Sequence, residues 1–312
     1  MKREKVTMKD IAKELNLSLA TVSYVLNHSE KERISHDTRF KVLETAKKLG
    51  YVPNQTARSL AKNQSNLIGI IVNLSQSASS YYKQQTLDLV SELQQQLHQA
   101  GYDTILSVTH DFDEIQIKYK HALEAAFIID MDEKVLKKIT KQYYVPVVFL
   151  DCDFDESLFY KILPDYDYIL SQGKKILGTE QIYLVMDQVI SERLRNNITA
   201  HFKPENVFIH RNGANLKEFL SGRISMKGIV IGDLLGMQVE RYVDNSNILV
   251  LSSYYASDLL LPDTKRIITS NRQKAIVAME LVKKLIRMDY DETSNTRVLL
   301  LPDPPVELSI KP

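Results

Sequence analysis

The chain has 312 residues, 44% of them hydrophobic, with 40 Lys and Arg against 39 Asp and Glu. That excludes wholesale disorder and leaves room for two domains, each burying its own core. The longest apolar runs, such as 67–72, fall far short of the ~20 residues that span a bilayer. No apolar stretch follows Lys2, Arg3, Glu4 and Lys5 to make a secretory signal. The single cysteine, Cys152, excludes a disulfide framework, so the sequence suggests a reducing cytoplasm.

The near-neutral total hides a basic head. Residues 1–62 hold 13 Lys and Arg against 7 Asp and Glu, and the remainder is acidic. This suggests either a polyanion partner or a solubilising surface. In chain order, Thr7 with Asp10 three residues on predicts a capped first helix to Leu15, with Met8, Ile11, Ala12 and Leu15 on its apolar face. Asn16 suits a left-handed helix end. Ser18 opens a second helix that points Val22, Val25 and Leu26 inward and leaves Leu19, Ala20, Ser23, Tyr24 and Asn27 on other faces. A joint of about three residues makes the pair a helix-turn-helix. Ser35 caps a third helix, closed by Val42, Ala46 and Leu49.

The segments Thr7-Met8-Lys9-Asp10-Ile11-Ala12, Ser18-Leu19-Ala20-Thr21-Val22-Ser23-Tyr24-Val25-Leu26-Asn27, Gly50-Tyr51-Val52-Pro53-Asn54 and Ala57-Arg58-Ser59-Leu60-Ala61 occur in this order. Together they resemble the DNA-binding headpiece and hinge helix of lactose-repressor-type (LacI/GalR) transcription regulators. The resemblance implies that the second helix enters the major groove. Leu19, Ala20 and Tyr24 would then meet base edges, and Thr7, Ser18, Thr21, Ser23, Asn27 and Ser35 would set register on phosphates. Helix capping and surface solvation are the other reading of these polar residues. Residues 53–61 are too few for a stable isolated helix, so a hinge helix there should form with DNA and a second subunit. In the family, the residue matched by Leu60 is inserted as a wedge into the minor groove; Asn54, Ala57 and Lys62 flank it. An ordinary linker contact is the alternative for Leu60. The headpiece is expected over 1–62 and a polar linker over 63–66.

From residue 67 the pattern alternates strand and helix. Strands are expected at 67–72, 102–108, 125–130, 146–151, 181–186, 206–210, 228–231, 248–251, 266–269 and 298–301. Helices are expected at 81–100, 134–142, 188–202, 234–243 and 272–288. This predicts α/β architecture with two successive parallel sheets of about five strands, the first break falling near Leu163 and Pro164. The resemblance extends the expectation to a two-lobed, periplasmic-binding-protein-like body that would bind an effector and dimerise. Its first lobe would span about 67–163 and 271–296, its second about 164–270 and 297–312, with crossovers near Leu163, Ser270 and Leu301. Ligands of open α/β sheets sit outside the carboxyl ends of strands. The expected lining therefore includes Ser75, Ser77 and Tyr81 from the loop after the first strand, then Asp151, Arg193 and Asp233. Asp233 could equally cap a helix, and Arg193 could equally be solvated at the surface. The chain departs from the family at Gly232, Asn196 and 252–255, with fewer carboxylates and glycines to hold a sugar's hydroxyls.

No phosphate loop, dinucleotide fingerprint, metalloprotease helix or nucleophile elbow occurs, and the seven histidines are scattered. The reading is therefore a regulator, not an enzyme, with no cofactor or metal and no membrane partner. It would bind a pseudo-palindromic operator in double-stranded DNA as a homodimer, most simply as a repressor, under a small-molecule effector. Two alternatives stand beside it: a relative whose body answers a protein partner or no ligand, and an α/β sugar-binding protein or enzyme with an incidental basic head.

Overall fold

The computed structural model describes residues 6–26, 34–49, 51, 65–74, 79–109, 122–135, 145–253, 259–289 and 295–303. The chain divides into two compact units, 1–64 and 65–312. In the first, helices α1 (Met8–Leu15), α2 (Leu19–Leu26) and α3 (His36–Lys48) close on Ile11, Ala12, Val22, Val25, Val42 and Ala46. Met8, Leu15, Leu26, Leu49 and Tyr51 pack around that core. Asn16 takes the left-handed conformation (φ 51°), and the Leu17 amide donates back to the Ala12 carbonyl at 2.9 Å. Three residues thus end one helix and start the next.

The second unit holds two wholly parallel sheets. The first contains β1 (Leu67–Asn73), β2 (Asp103–Thr109), β3 (Ala125–Ile129), β4 (Val147–Leu150), β5 (Tyr160–Pro164) and β11 (Arg297–Leu300), in the order β11-β5-β4-β3-β1-β2. The second contains β6 (Ile182–Asp187), β7 (Val207–His210), β8 (Lys227–Ile231), β9 (Ile248–Ser252) and β10 (Lys265–Ile268), in the order β10-β9-β8-β6-β7. Helices α4 (Ser80–Gln99) and α9 (Asn271–Ile286) cover one face of the first sheet. Helices α5 (Tyr166–Leu177), α6 (Glu192–Thr199), α7 (Leu216–Ser221) and α8 (Asp233–Val239) cover the second. Strands buried on both faces need near-continuous apolar runs, which explains β1: Ile68, Ile70 and Val72 pack to one side and Ile71 to the other.

Several expectations are corrected. Where the sequence suggests a break near Leu163 and Pro164, residues Tyr160–Pro164 form strand β5 of the first sheet. Lys161 is buried in it, its ammonium donating to the carbonyls of Phe154 (2.8 Å) and Glu156 (2.7 Å). Segment 297–300, assigned to the second lobe, belongs to the first sheet, since Arg297 to Leu300 pair in parallel with Lys161 to Pro164. Helix α5 was not anticipated: Gly173 sits on its buried face, where a Cβ would lie 2.8 Å from Ile229. The helix expected at 188–202 begins only at Glu192, where Ser191 caps it, and the one expected at 234–243 ends at Val239. Within 134–142 only a 3-10 turn, Glu133–Val135, falls in the described residues. The chain passes between sheets after Pro164, at Ser270 and after Leu300. At the last passage the Asp303 amide bonds the Ile268 carbonyl (2.8 Å) and its carboxylate receives the Ser270 amide (3.3 Å).

Candidate nucleic-acid interface and effector cleft

In the first unit, three hydroxyl residues start three helices. The Asp10 carboxylate accepts the Thr7 amide (2.8 Å) and hydroxyl (2.7 Å), and these bonds hold it below the usual carboxylate range. Ser18 Oγ accepts the Thr21 amide at 3.0 Å and Ser35 Oγ accepts the Thr38 amide at 3.3 Å. The two serines also pair with the hydroxyls of Thr21 and Thr38, each at 2.8 Å. Thr7, Ser18 and Ser35 therefore have capping roles whatever else they touch. With Val22 and Val25 in the core, α2 turns Leu19 (44% exposed), Ala20 and Tyr24 (40% exposed) outward, while Thr21 and Ser23 are half-buried. Asn27, Asn54, Ala57, Leu60 and Lys62 lie outside the described residues.

In the second unit, four aspartates stand at or just beyond the carboxyl ends of strands: Asp130 after β3, Asp151 after β4, Asp187 at the end of β6 and Asp233 after β8. They gather at the cleft between the two sheets. Asp130 and Asp151 have left-handed backbones, φ 46° and 53°, which aspartate tolerates better than most residues. Asp130 is buried. Its carboxylate receives the Tyr82 phenol from the first lobe and the amides of Ile190 (2.8 Å) and Ser191 (3.0 Å) from the second. Burial pushes this carboxyl up to about 6, although those hydrogen bonds pull it down. Burial and the adjacent Asp130 push the Tyr82 phenol well above its ordinary range.

Further bonds tie the lobes. Ser79 donates to Asp187 Oδ1 (2.5 Å), Gln85 to the Ser253 hydroxyl (3.3 Å), and Asn197 to Asp153 (2.8 Å). Asp153, buried, also receives the Arg297 guanidinium at 2.9 and 3.1 Å.

The expected effector residues divide among three spaces. Tyr81 and Asp233 line a cavity of about 250 Å³ with Gln84, Gln85, Asp187 and Ser253. The Tyr81 ring lies 5.4 Å from that of His210. Asp151 lines an inner cavity of about 80 Å³, and its two oxygens are both taken by Lys274 at 2.7 Å. Arg193 lines an outer cleft of about 810 Å³, and its guanidinium is engaged by Asp155 (2.5 Å) and Asp153 (3.8 Å). Asp233 does not cap α8, where Gly232 is the N-cap; its carboxylate receives the Ser252 hydroxyl (2.6 Å) and the Ser253 amide (2.9 Å) from the end of β9. Gly232 has φ 103°, and a Cβ there would lie 3.3 Å from Gln85 of the other lobe, two reasons for glycine at this position. Ser75 and Ser77 lie outside the described residues. Sequence reasoning missed Asp130, Asp187, His210 and Lys274; the strand-end rule that selected Asp151 applied equally to Asp130 and Asp187. Among the described residues, no group of His, Cys, Asp or Glu is arranged to hold a metal ion, and no helix is long and apolar enough to cross a membrane.

Residues 7–54 match the family described as bacterial regulatory proteins, lacI family. The maltose regulon regulatory protein MalI of Vibrio furnissii is 37% identical over 123 residues, 39% of this chain and 82% of that protein. The chain belongs to the LacI family. The HTH-type transcriptional regulator MalR of Staphylococcus xylosus is 36% identical over 152 residues, 46% of this LacI-family chain and 44% of MalR, so the matched stretch spans less than half of that relative. In three dimensions, a lac repressor dimer solved with operator and the anti-inducer ONPF matches with a TM-score of 0.71 at 20% identity, over 96% of this chain and 97% of that one. That likeness shows a LacI-type fold, a helical headpiece followed by a two-lobed α/β body.

Proposed function

We propose that this protein is a sequence-specific DNA-binding transcriptional regulator, a repressor, that grips a pseudo-palindromic operator as a homodimer in the cytoplasm and answers a small molecule held between its lobes. The observation that carries the reading is the outer face of α2. Leu19, Ala20 and Tyr24 are uncharged, exposed and mounted on a helix whose other face is fully packed. Such a face suits thymine methyls and one hydroxyl contact in a major groove. Ser18, Thr21, Ser23, Thr7 and Ser35 would set register on phosphates, and Asn27, Asn54, Ala57, Leu60 and Lys62 join by family resemblance. The basic surplus of residues 1–62 supplies non-specific attraction to the backbone.

Effector binding would alter operator affinity through the lobes, and by linkage operator DNA would alter effector affinity by the same factor. A second reading is favoured by the bonds already tying the lobes: a body that stays closed without a ligand and answers a protein partner or nothing. Selection from a random duplex library tests the function. The expected result is an enriched inverted repeat bound with affinity that falls steeply with salt. Absence of any enriched sequence under every ligand condition overturns it.

A further inference from the structure

The four cleft aspartates differ in what they have left to offer. Asp130 uses both oxygens on Ile190, Ser191 and Tyr82. Asp151 uses both on Lys274, and Asp233 uses one on Ser252 and one on Ser253. Asp187 does not. Its two partners, Ser79 Oγ at 2.5 Å and His210 Nδ1 at 3.0 Å, both reach Oδ1. Among the described residues nothing bonds Oδ2, although the residue is only 7% exposed and lines both the 250 Å³ and the 80 Å³ cavities. That oxygen is left to the cavity space, where a ligand or water can donate to it. The two hydrogen bonds to Oδ1 meanwhile fix the group's orientation.

The surroundings decide what could fill that gap. The larger cavity carries Asp187 and Asp233 and, among its described lining residues, no lysine, arginine or histidine. The smaller one adds Asp130 and Asp151, against Lys274 alone, which Asp151 already engages. The free cation expected here, Arg193, lies on the outer cleft and is held by Asp155 and Asp153. An anionic ligand would meet like charge at short range in a poorly solvated space, where repulsion is strongest. Gln84, Gln85, Ser253 and Tyr81 meanwhile offer neutral hydrogen-bonding groups around the same volume. That volume lies near the lower end of small-molecule sites, about 300–1,000 Å³.

Resting on the effector reading above, we infer that the effector is a small organic amine, with an ammonium group donating to Asp187 Oδ2 and any hydroxyls it carries bonding the amides and hydroxyls of the larger cavity. Phosphorylated sugars and sugar acids are excluded by the same charge balance.

Calorimetric titration of the full chain with matched sets tests this: glucosamine, glucose and glucose 6-phosphate, then putrescine, butane-1,4-diol and succinate. In at least one set the amine should bind about tenfold more tightly than its neutral counterpart, with no binding of the anion. Asp187→Asn should erase that preference. Asp187→Ser repeats the test should the asparagine variant lack a cooperative unfolding transition. A neutral or anionic member that binds as well as the amine, or an amine preference that survives both substitutions, overturns the inference and leaves the effector reading standing. No binding by any member of either set or of a wider neutral and charged library, while operator binding persists, overturns the effector reading and the inference with it.

Discussion

The headpiece and the cleft both bond polar groups to one another, but over different distances along the chain. In the headpiece the bonds that start helices join residues three apart: Thr7 to Asp10, Ser18 to Thr21, Ser35 to Thr38. In the cleft Asp130 meets Ser191 across 61 residues, Ser79 meets Asp187 across 108 and Gln85 meets Ser253 across 168. The headpiece thus keeps its own order with local bonds and leaves its outer face of α2 for a partner. The cleft spends several of its polar groups joining one lobe to the other, so removing one should disturb both lobes.

The largest expected effect is therefore Asp130→Ala. It leaves the amides of Ile190 and Ser191 and the Tyr82 phenol without their acceptor, each a loss of about 1–3 kcal/mol. Partial relief from losing a buried charge brings the expected total to about 3 kcal/mol, read as a lowered urea midpoint. A variant that unfolds like the parent would mean that the lobes are not joined through this carboxylate.

The same group gives the next effect, in pH. Burial raises its carboxyl from 3.8 to about 6. The folded chain then holds this proton more tightly than the unfolded chain does. The stability that this proton contributes is full below about 3.8 and is lost as pH rises through about 6. Relative to Asp130→Asn, the parent should lose on the order of 2–3 kcal/mol between about pH 4 and 6.5. A difference between the two proteins that stays flat over that range contradicts the assigned burial.

Tyr24→Ala sharpens the other side of the comparison. Because the ring is on an exposed face of α2, unfolding should change by about 0.5 kcal/mol or less. Affinity for the selected operator should fall about tenfold while affinity for random duplex holds, which anisotropy reads directly. Equal losses on both DNAs would make Tyr24 a backbone contact and move sequence reading to Leu19 and Ala20.

This difference in range also explains what was legible. The capping residues, the left-handed Asn16 and the core positions of α1 and α2 are written in windows of a few residues, and the structure places them where the sequence does. The alternation of strands and helices is legible for the same reason. What fails is what depends on distant partners. Segment 297–300 has no local feature that chooses one sheet over the other; its pairing with β5 does. Arg193 reads equally as a ligand contact or a solvated side chain until Asp155 and Asp153 are beside it. The cleft aspartates were visible as strand-end acids, but which of them keeps an oxygen free is a property of the assembled lobes alone.

The smallest effect separates two roles that overlap at one atom. Ser18 Oγ accepts the Thr21 amide, so Ser18→Ala should lower headpiece stability by about 1 kcal/mol. It would also weaken DNA binding, but a loosened helix and a lost phosphate contact give the same result there. Ser18→Asp resolves the two. Aspartate caps as well as serine, and its charge suits a helix N-terminus, so stability should hold or rise by about 0.5 kcal/mol. Were Ser18 only a cap, operator affinity would hold as well. The expected outcome is instead a loss of about tenfold or more with stability intact, because the new carboxylate faces a phosphate across the position proposed for the backbone. Operator binding undiminished in Ser18→Asp would remove Ser18 from the DNA interface and leave it the purely local role that Thr7 and Ser35 share with it.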